Sequence, residues 1–478
     1  MTQFITHFID GDWIKADAVG LSLNPSDLRD VVAEVADGGQ DILEQAISAA
    51  HRASSGWAAL STEARSDILN RAGSLLMERS AELGRLLSRE EGKTLAEGQG
   101  EVVRAGRIFQ YFAGEAIRVH GQMLNSTRLS VEVATRREPL GVVGLITPWN
   151  FPMAIPAWKA APALAFGNTV VMKVASITPA TAAALAKVLE DAGIPPGVFN
   201  LVFVRGSVAA GLARDHRISA LSFTGSTGVG RGLAISAVSN GIRVQLEMGG
   251  KNPLVILDDA DVDRAVSVAL DGAFFGSGQR CTASSRLIVA AGIHDRFVSA
   301  LTKKLAEQRV GHALDPATNI GPVASQEQLE SILSFLKVAR EEGAKIDIGG
   351  EKLSLEHEGY YLSPALVTET SPEMTINIEE VFGPVASVLK VSGYEEALNA
   401  ANGTKLGLSA GIVTSSLKYA HDFKRRVEAG MVMVNLPTAG VDYHVPFGGT
   451  KESSYGSREQ GFSAVEFYTQ TKTSYTSW

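Results

Sequence analysis

The spacing of apolar and polar positions divides the chain into a helical opening and two later series in which short apolar runs alternate with helical stretches. Between about residues 41 and 118, apolar side chains recur at helical spacing above a polar face rich in Glu and Arg, most clearly from Ser61 to Leu87, and predict a helical cover. From Gly141 the period changes. Gly141–Ile146, Thr169–Ala175, Phe199–Val204 and Ala220–Phe223 are expected as strands, with Pro179–Ala192 as a helix capped by Thr178 and carrying Pro179 in its first turn. Strand, helix, strand at this spacing implies an α/β fold with a doubly wound parallel sheet, which takes its ligands beyond the carboxyl ends of the strands. A second α/β series follows Asn252, with Leu254–Leu257, Arg286–Ala290, Val385–Val391, Ala410–Thr414 and Met431–Val434 as strands. Arg128–Arg136 and Phe467–Tyr475 alternate like half-exposed strands and fit neither sheet, so they are expected to form an oligomerisation ribbon.

Composition narrows the class. The chain has 478 residues, enough for about three domains at roughly 150 residues each. Its 48 Gly and 17 Pro are spread without clusters, so no linker stands out. With 44 Lys plus Arg against 52 Asp plus Glu, the net charge of -8 argues against a nucleic-acid partner. No apolar run reaches a membrane span and Met1–Asp17 lacks a signal-peptide pattern, so a cytoplasmic protein is expected. The single cysteine rules out an internal disulfide and a Cys cluster, and suits a reducing compartment. No metal site is expected, since H-E-x-x-H is absent and the 9 His are scattered.

Candidate chemistry gathers at a few stretches. Cys281 lies in Phe-Gly-Ser-Gly-Gln-Arg-Cys-Thr-Ala, where glycines allow close backbone approach and Arg280 or backbone N–H groups could favour the reactive thiolate; an inert buried thiol is the alternative. Glu247 ends an apolar strand before two glycines, the place for a general base or for a solvated carboxylate. Asn150, in the rigid turn Thr-Pro-Trp-Asn-Phe-Pro, can offer its amide to a developing oxyanion. Phe223-Thr-Gly-Ser-Thr-Gly-Val-Gly joins a strand to a helix and can hold phosphate, although it misses the G-x-G-x-x-G fingerprint. Lys173 and Ser176 follow the second parallel strand, where an adenosine ribose would lie and an acidic residue usually selects NAD; here that acid is missing. Gly407-Leu-Ser-Ala-Gly matches G-x-S-x-G but leads into a strand, which excludes a Ser409 nucleophile.

Taken in order, Pro148-Trp-Asn-Phe-Pro, Gly167-Asn-Thr-Val-Val-Met-Lys, Phe223-Thr-Gly-Ser, Glu247-Met-Gly-Gly-Lys, Gly278-Gln-Arg-Cys, Glu379-Glu-Val-Phe-Gly-Pro and Pro446-Phe-Gly-Gly resemble the aldehyde dehydrogenase superfamily over nearly the whole chain. The resemblance implies a Rossmann-like cofactor domain (1–121 and 141–249), an α/β catalytic domain (250–452) and oligomerisation segments (122–140 and 453–478), assembled as a homodimer or homotetramer. It implies Cys281 as nucleophile, Glu247 as the base that hydrolyses a thioester, and Asn150 with the Cys281 N–H as oxyanion donors. Cofactor contacts are carried onto Ile146, Thr147, Pro148, Trp149, Lys173, Ala175, Ser176, Arg205, Gly206, Phe223, Gly225, Ser226, Val229, Met248, Glu380 and Phe382. Ser176 in place of an acid, and Arg205 as a partner for a 2′-phosphate, point to NADP as the preferred cofactor with NAD also used.

Gly278-Gln-Arg-Cys-Thr-Ala-Ser-Ser-Arg, Asn435 to Gly449 and Ser453-Ser-Tyr-Gly-Ser-Arg-Glu-Gln-Gly look most like the 2-oxoglutarate semialdehyde (2,5-dioxopentanoate) dehydrogenases. A small aldehyde with a distal carboxylate is therefore expected as substrate. Arg104 or Arg280 would meet the carboxylate, Phe151, Trp158 and Phe447 would line the apolar tunnel, and Thr282 would lie beside the nucleophile. Succinate-semialdehyde or broad-range aldehyde oxidation and a Cys-based esterase are the alternatives.

Overall fold

A computed structural model describes residues 3–16 and 18–478. The expected helical cover is four helices, Gln40–Ala59, Thr62–Glu78, Ser80–Glu91 and Leu95–Ala116. Local chemistry sets their ends. Ser61 accepts the Ala64 N–H at the second helix, and Thr94 with Glu97 forms a reciprocal capping box at the fourth.

The first α/β series forms an 8-stranded sheet in the order Ser454–Tyr455, Arg243–Glu247, Ile218–Thr224, Val142–Ile146, Thr169–Lys173, Phe199–Val202, His7–Ile9, Asp12–Ile14. Its central strands run parallel, and helices cover both faces, so Val142–Ile146 is buried at every position. The second series forms a 7-stranded sheet around Arg286–Ala290, Pro253–Ile256 and Ser409–Val413. Ser409 begins a fully buried strand, which removes the strand–turn–helix setting a serine nucleophile needs.

Two expectations change and one element is new. Thr178 precedes the helix Pro179–Ala192, but its hydroxyl makes no cap; the buried Glu90 carboxylate from the third helix takes the Ala180 and Thr181 N–H groups, each at 2.7 Å. A carboxylate at a helix N-terminus gains from both the free amides and the dipole, and outcompetes a local hydroxyl. The C-terminal segment 453–478 is not one unit. Ser454–Tyr455 pairs with the Glu247 strand, Phe467 and Tyr468 are buried in the short helix Ala464–Tyr468, and only Thr469–Ser477 runs along Val131–Pro139 in the ribbon. An N-terminal hairpin, Ala18–Asn24 with Asp27–Asp37, was not anticipated. Its tip reaches the second series, where Tyr361 Oη donates to Ser26 O at 2.7 Å and Leu28 N to Glu358 O at 2.9 Å.

Candidate active site

The approach to Cys281 is a backbone coil that few sequences can adopt. Gly276, Ser277 and Gly278 have φ of 60°, 52° and 63°, and a side chain at Gly278 would strike Gly383 O, so glycine is required there. Ser277 tolerates the left-handed region because its hydroxyl donates to Gly321 O at 2.8 Å. Gln279 is fixed on both sides: its side-chain oxygen accepts the Ala324 N–H at 3.0 Å, and its carbonyl accepts Asn150 Nδ2, also at 3.0 Å. Asn252 Nδ2 then holds Cys281 O at 2.7 Å.

Cys281 lines a cavity of about 230 Å³ with Asn150, Phe151, Trp158, Thr282, Phe447, Arg104 and Arg280. The structure gathers these residues, expected from the sequence at the nucleophile and substrate tunnel, around one cavity. Burial, with Glu380 and Glu247 nearby, pushes the thiol up to about 12, and its own backbone N–H works the other way. Arg280 does not rescue the thiolate. Its guanidinium bonds to Asp271 O and, at 3.1 Å, to Gly272 O, the open carbonyls near the end of the helix Val262–Phe274, and this engagement also weakens it as a substrate cation.

The helix Leu95–Ala116 turns Glu97, Glu101 and Arg104 toward the cavity, a spacing of four and three residues that keeps them on one face. Glu97 accepts the Gly276 N–H at 2.6 Å. Glu101 accepts the Met153 and Ala154 N–H groups at 2.9 and 3.0 Å and pairs with Lys93 at 2.7 Å; Lys93 also donates to Asn150 O. Among the described residues, Arg104 has no carboxylate in contact and only a 3.4 Å approach to Gln460 Oε1.

Glu247 is buried at the end of its strand, and burial together with the neighbouring Glu459 raises its carboxyl well above the ordinary range, against a 2.6 Å hydrogen bond from Ser454. Behind it, Lys159 pairs with Glu459 and donates to Ser222 at 2.7 Å. Sequence reasoning missed the pairing of Lys159 with Glu459 because 300 residues separate them; Glu459 lies in the Ser-Ser-Tyr-Gly-Ser-Arg-Glu-Gln-Gly stretch, but nothing local there points to Lys159.

Beyond the strand ends, the chain offers a cradle that fits a dinucleotide. Thr147 Oγ1 and Thr224 Oγ1 are buried without partners among the described residues, and burial lowers the Lys173 ammonium. The helix Thr227–Ser239 starts at Ser226 with no side-chain cap, and a Cβ at Gly230 would meet Met248 Sδ at 2.7 Å, which keeps this surface bare. Trp149 and Phe382 meet edge to face at 5.4 Å, and Glu380 accepts the Gly250 N–H at 3.1 Å. Ser176 is exposed, as an open ribose edge requires. Arg205 departs from expectation: its guanidinium is held by Asp37 at 2.9 Å, so a 2′-phosphate would have to displace a carboxylate. No group of His, Cys, Asp and Glu suited to a metal ion occurs among the described residues, and no helix there is long and apolar enough to cross a membrane.

The model of the aldehyde dehydrogenase family matches residues 13–474. The chain belongs to the aldehyde dehydrogenase family. It is an oxidoreductase that acts on aldehydes. An alpha-ketoglutaric semialdehyde dehydrogenase of Bacillus subtilis is 43% identical over 98% of this chain and 97% of its own length. An alpha-ketoglutarate semialdehyde dehydrogenase of Haloferax volcanii is 41% identical over 100% of both chains, and a 2,5-dioxopentanoate dehydrogenase of Saccharolobus solfataricus 39% identical over 98% of both. Among solved structures, betaine aldehyde dehydrogenase of Staphylococcus aureus in complex with NAD+ superposes with a TM-score of 0.96 at 34% identity, covering 99% of this chain and 95% of that one. The aldehyde dehydrogenase fold expected from the motifs is the fold observed.

Proposed function

We propose that this aldehyde dehydrogenase oxidises 2-oxoglutarate semialdehyde to 2-oxoglutarate with NAD(P) as cofactor. One observation carries the reading: a nucleophile, an amide donor and a cation without a carboxylate partner line a single compact cavity. The volume of about 230 Å³ lies below the roughly 300 Å³ at which drug-sized pockets begin, and suits a short aldehyde. Arg104 then meets the distal carboxylate, and Phe151, Trp158 and Phe447 enclose the methylene chain.

The chemistry follows from the surroundings of Cys281. With its thiol pushed up to about 12, Cys281 needs a base, and Glu247, whose carboxylate burial and Glu459 make a stronger proton acceptor than an ordinary one, takes the proton. The sulfur attacks the aldehyde carbon, and the oxygen becomes an alkoxide. Asn150 Nδ2 spends one hydrogen on Gln279 O and has a second for this oxyanion, beside the Cys281 N–H. A nicotinamide held by the cradle would supply the hydride acceptor that turns the Cys281 thiohemiacetal into a thioester. Glu247 gives the proton it took from Cys281 to solvent and then deprotonates a water that attacks the thioester, and Cys281 departs as thiolate. Lys159 and Glu459 surround Glu247 with charge that tunes this second role.

The unpaired Lys173 and the acid-free Ser176 favour NADP over NAD, while Asp37 competes for Arg205; kcat/KM with both cofactors tests this, and a strong NAD preference overturns it. Met123, Leu124, Leu129 and Tyr475 are exposed apolar side chains on or beside the ribbon and support a homodimer or homotetramer. A nucleophilic thiol suits the reducing cytoplasm. The deciding experiment is Glu247→Gln: because Glu247 serves both steps, first-turnover formation of reduced cofactor and steady-state turnover are both expected to slow, the latter about 10²- to 10³-fold, and unchanged steady-state turnover contradicts the reading.

A further inference from the structure

Arg280 Nε is buried without an acceptor although its Nη2 is engaged by helix carbonyls, and beside the Cys281 cavity three further buried N–H donors have none among the described residues: Arg104 Nε, Trp158 Nε1 and Gln460 Nε2. They belong together in space. Arg104 Nη2 lies 3.4 Å from Gln460 Oε1, and the guanidinium carbon lies 5.9 Å from the Trp158 ring centre. Trp158 packs on Phe447 at 5.4 Å, and Phe447 exchanges two backbone hydrogen bonds with Glu459, which sets Gln460 directly behind the cavity wall. Gln460 is 1% exposed and holds a left-handed backbone with φ of 59°. The guanidinium faces the amide oxygen of Gln460, so the NH₂ group is the end left open. Buried donors are almost always answered in native proteins, and three unanswered ones, two on side chains that line the cavity and one on Gln460 behind them, call for ligand oxygens.

We infer that Arg104, Gln460 and Trp158 Nε1 form a receptor for a 2-oxo acid group, with the guanidinium on the carboxylate and the amide and indole donors on the adjoining oxo and outer carboxylate oxygens. A plain carboxylate is filled by the arginine alone, since its two oxygens match one guanidinium edge. The neighbouring oxo group supplies the extra acceptor that the added donors require. Gln460 lies in the Arg-Glu-Gln-Gly stretch, and the indole of Trp158 takes on a polar role beyond the apolar lining expected of it.

The inference rests on the proposal that Arg104 meets the distal carboxylate, and substrate pairs of equal length separate the two. Glutarate semialdehyde and 2-oxoglutarate semialdehyde differ only in the oxo group. Wild-type enzyme is expected to favour the 2-oxo substrate by roughly tenfold or more in kcat/KM, and Gln460→Met to cut that preference about tenfold, with Trp158→Phe cutting it less. As a check that needs no variant, 2-oxoglutarate is expected to inhibit the wild-type enzyme competitively at lower concentration than glutarate. If wild-type enzyme selects carboxylate-bearing aldehydes but treats both substrates and both inhibitors alike, or if Gln460→Met folds and keeps the full preference, the 2-oxo receptor is overturned while the Arg104 role stands. If wild-type enzyme shows no preference for carboxylate-bearing aldehydes over propanal, both fall.

Discussion

Two sets of polar groups around the Cys281 cavity are treated in opposite ways. Lys93, Glu97, Glu101 and Arg280 are engaged by another charge, a backbone N–H or a backbone carbonyl, with Arg280 Nε alone left over. Arg104, Trp158 and Gln460 keep buried donors with no acceptor among the described residues. The first arrangement holds the nucleophile's loop in place and has little left for a ligand. The second is the set that the inferred ligand would complete, and on that reading the contrast separates groups that build the site from groups that read the substrate.

The largest break in that comparison is at the nucleophile itself. Cys281→Ala is expected to lower dehydrogenase turnover by at least about 10⁴-fold, measured by reduced-cofactor absorbance, while dinucleotide binding followed by fluorescence persists. One equivalent of a thiol reagent per subunit is expected to inactivate the enzyme equally, because no second cysteine exists. On the open side, Arg104→Met is expected to reduce kcat/KM for carboxylate-bearing aldehydes about 10²-fold, and to affect propanal far less. A change at Arg280 of the same kind is expected to act differently: losing its bonds to Asp271 and Gly272 loosens the Cys281 loop and lowers kcat for every aldehyde together.

The smallest expected effect is a pH profile. Because the free-enzyme thiol is pushed up to about 12, the thiolate fraction rises roughly tenfold per pH unit well below that value. Alkylation by iodoacetamide should therefore accelerate steadily from pH 7 to 9 with no plateau, whereas a thiolate stabilised by Arg280 would give a flat profile over that range.

Local patterns carried most of this structure. Helical spacing before residue 118 and the alternation of apolar runs after Gly141 located the elements because each records burial within a few neighbouring residues. The motifs around Asn150, Glu247 and Cys281 were legible for a similar reason: turn glycines and prolines shape their own backbone. What escaped was long range. Thr178 has the side chain of a cap, and nothing near it reveals that Glu90 arrives from another helix. Arg280 sits next to the nucleophile in sequence, yet its guanidinium follows the carbonyls of a helix end. Arg205 meets Asp37 across 168 positions, and Lys159 meets Glu459 across 300; pairings of that kind are set by sheet order and leave no local period. The ribbon was found but begun too early, since Phe467 and Tyr468 are apolar in a way that suits an edge strand or a buried helical turn equally.

The central claim is that this aldehyde dehydrogenase selects its substrate by a distal carboxylate held at Arg104. The most direct measurement is kcat/KM of wild-type and Arg104→Met enzyme over 2-oxoglutarate semialdehyde, succinate semialdehyde and propanal. The expected result is a strong wild-type preference for 2-oxoglutarate semialdehyde that collapses in the variant. Equal wild-type values for all three aldehydes, or a preference that survives the loss of Arg104, would contradict it.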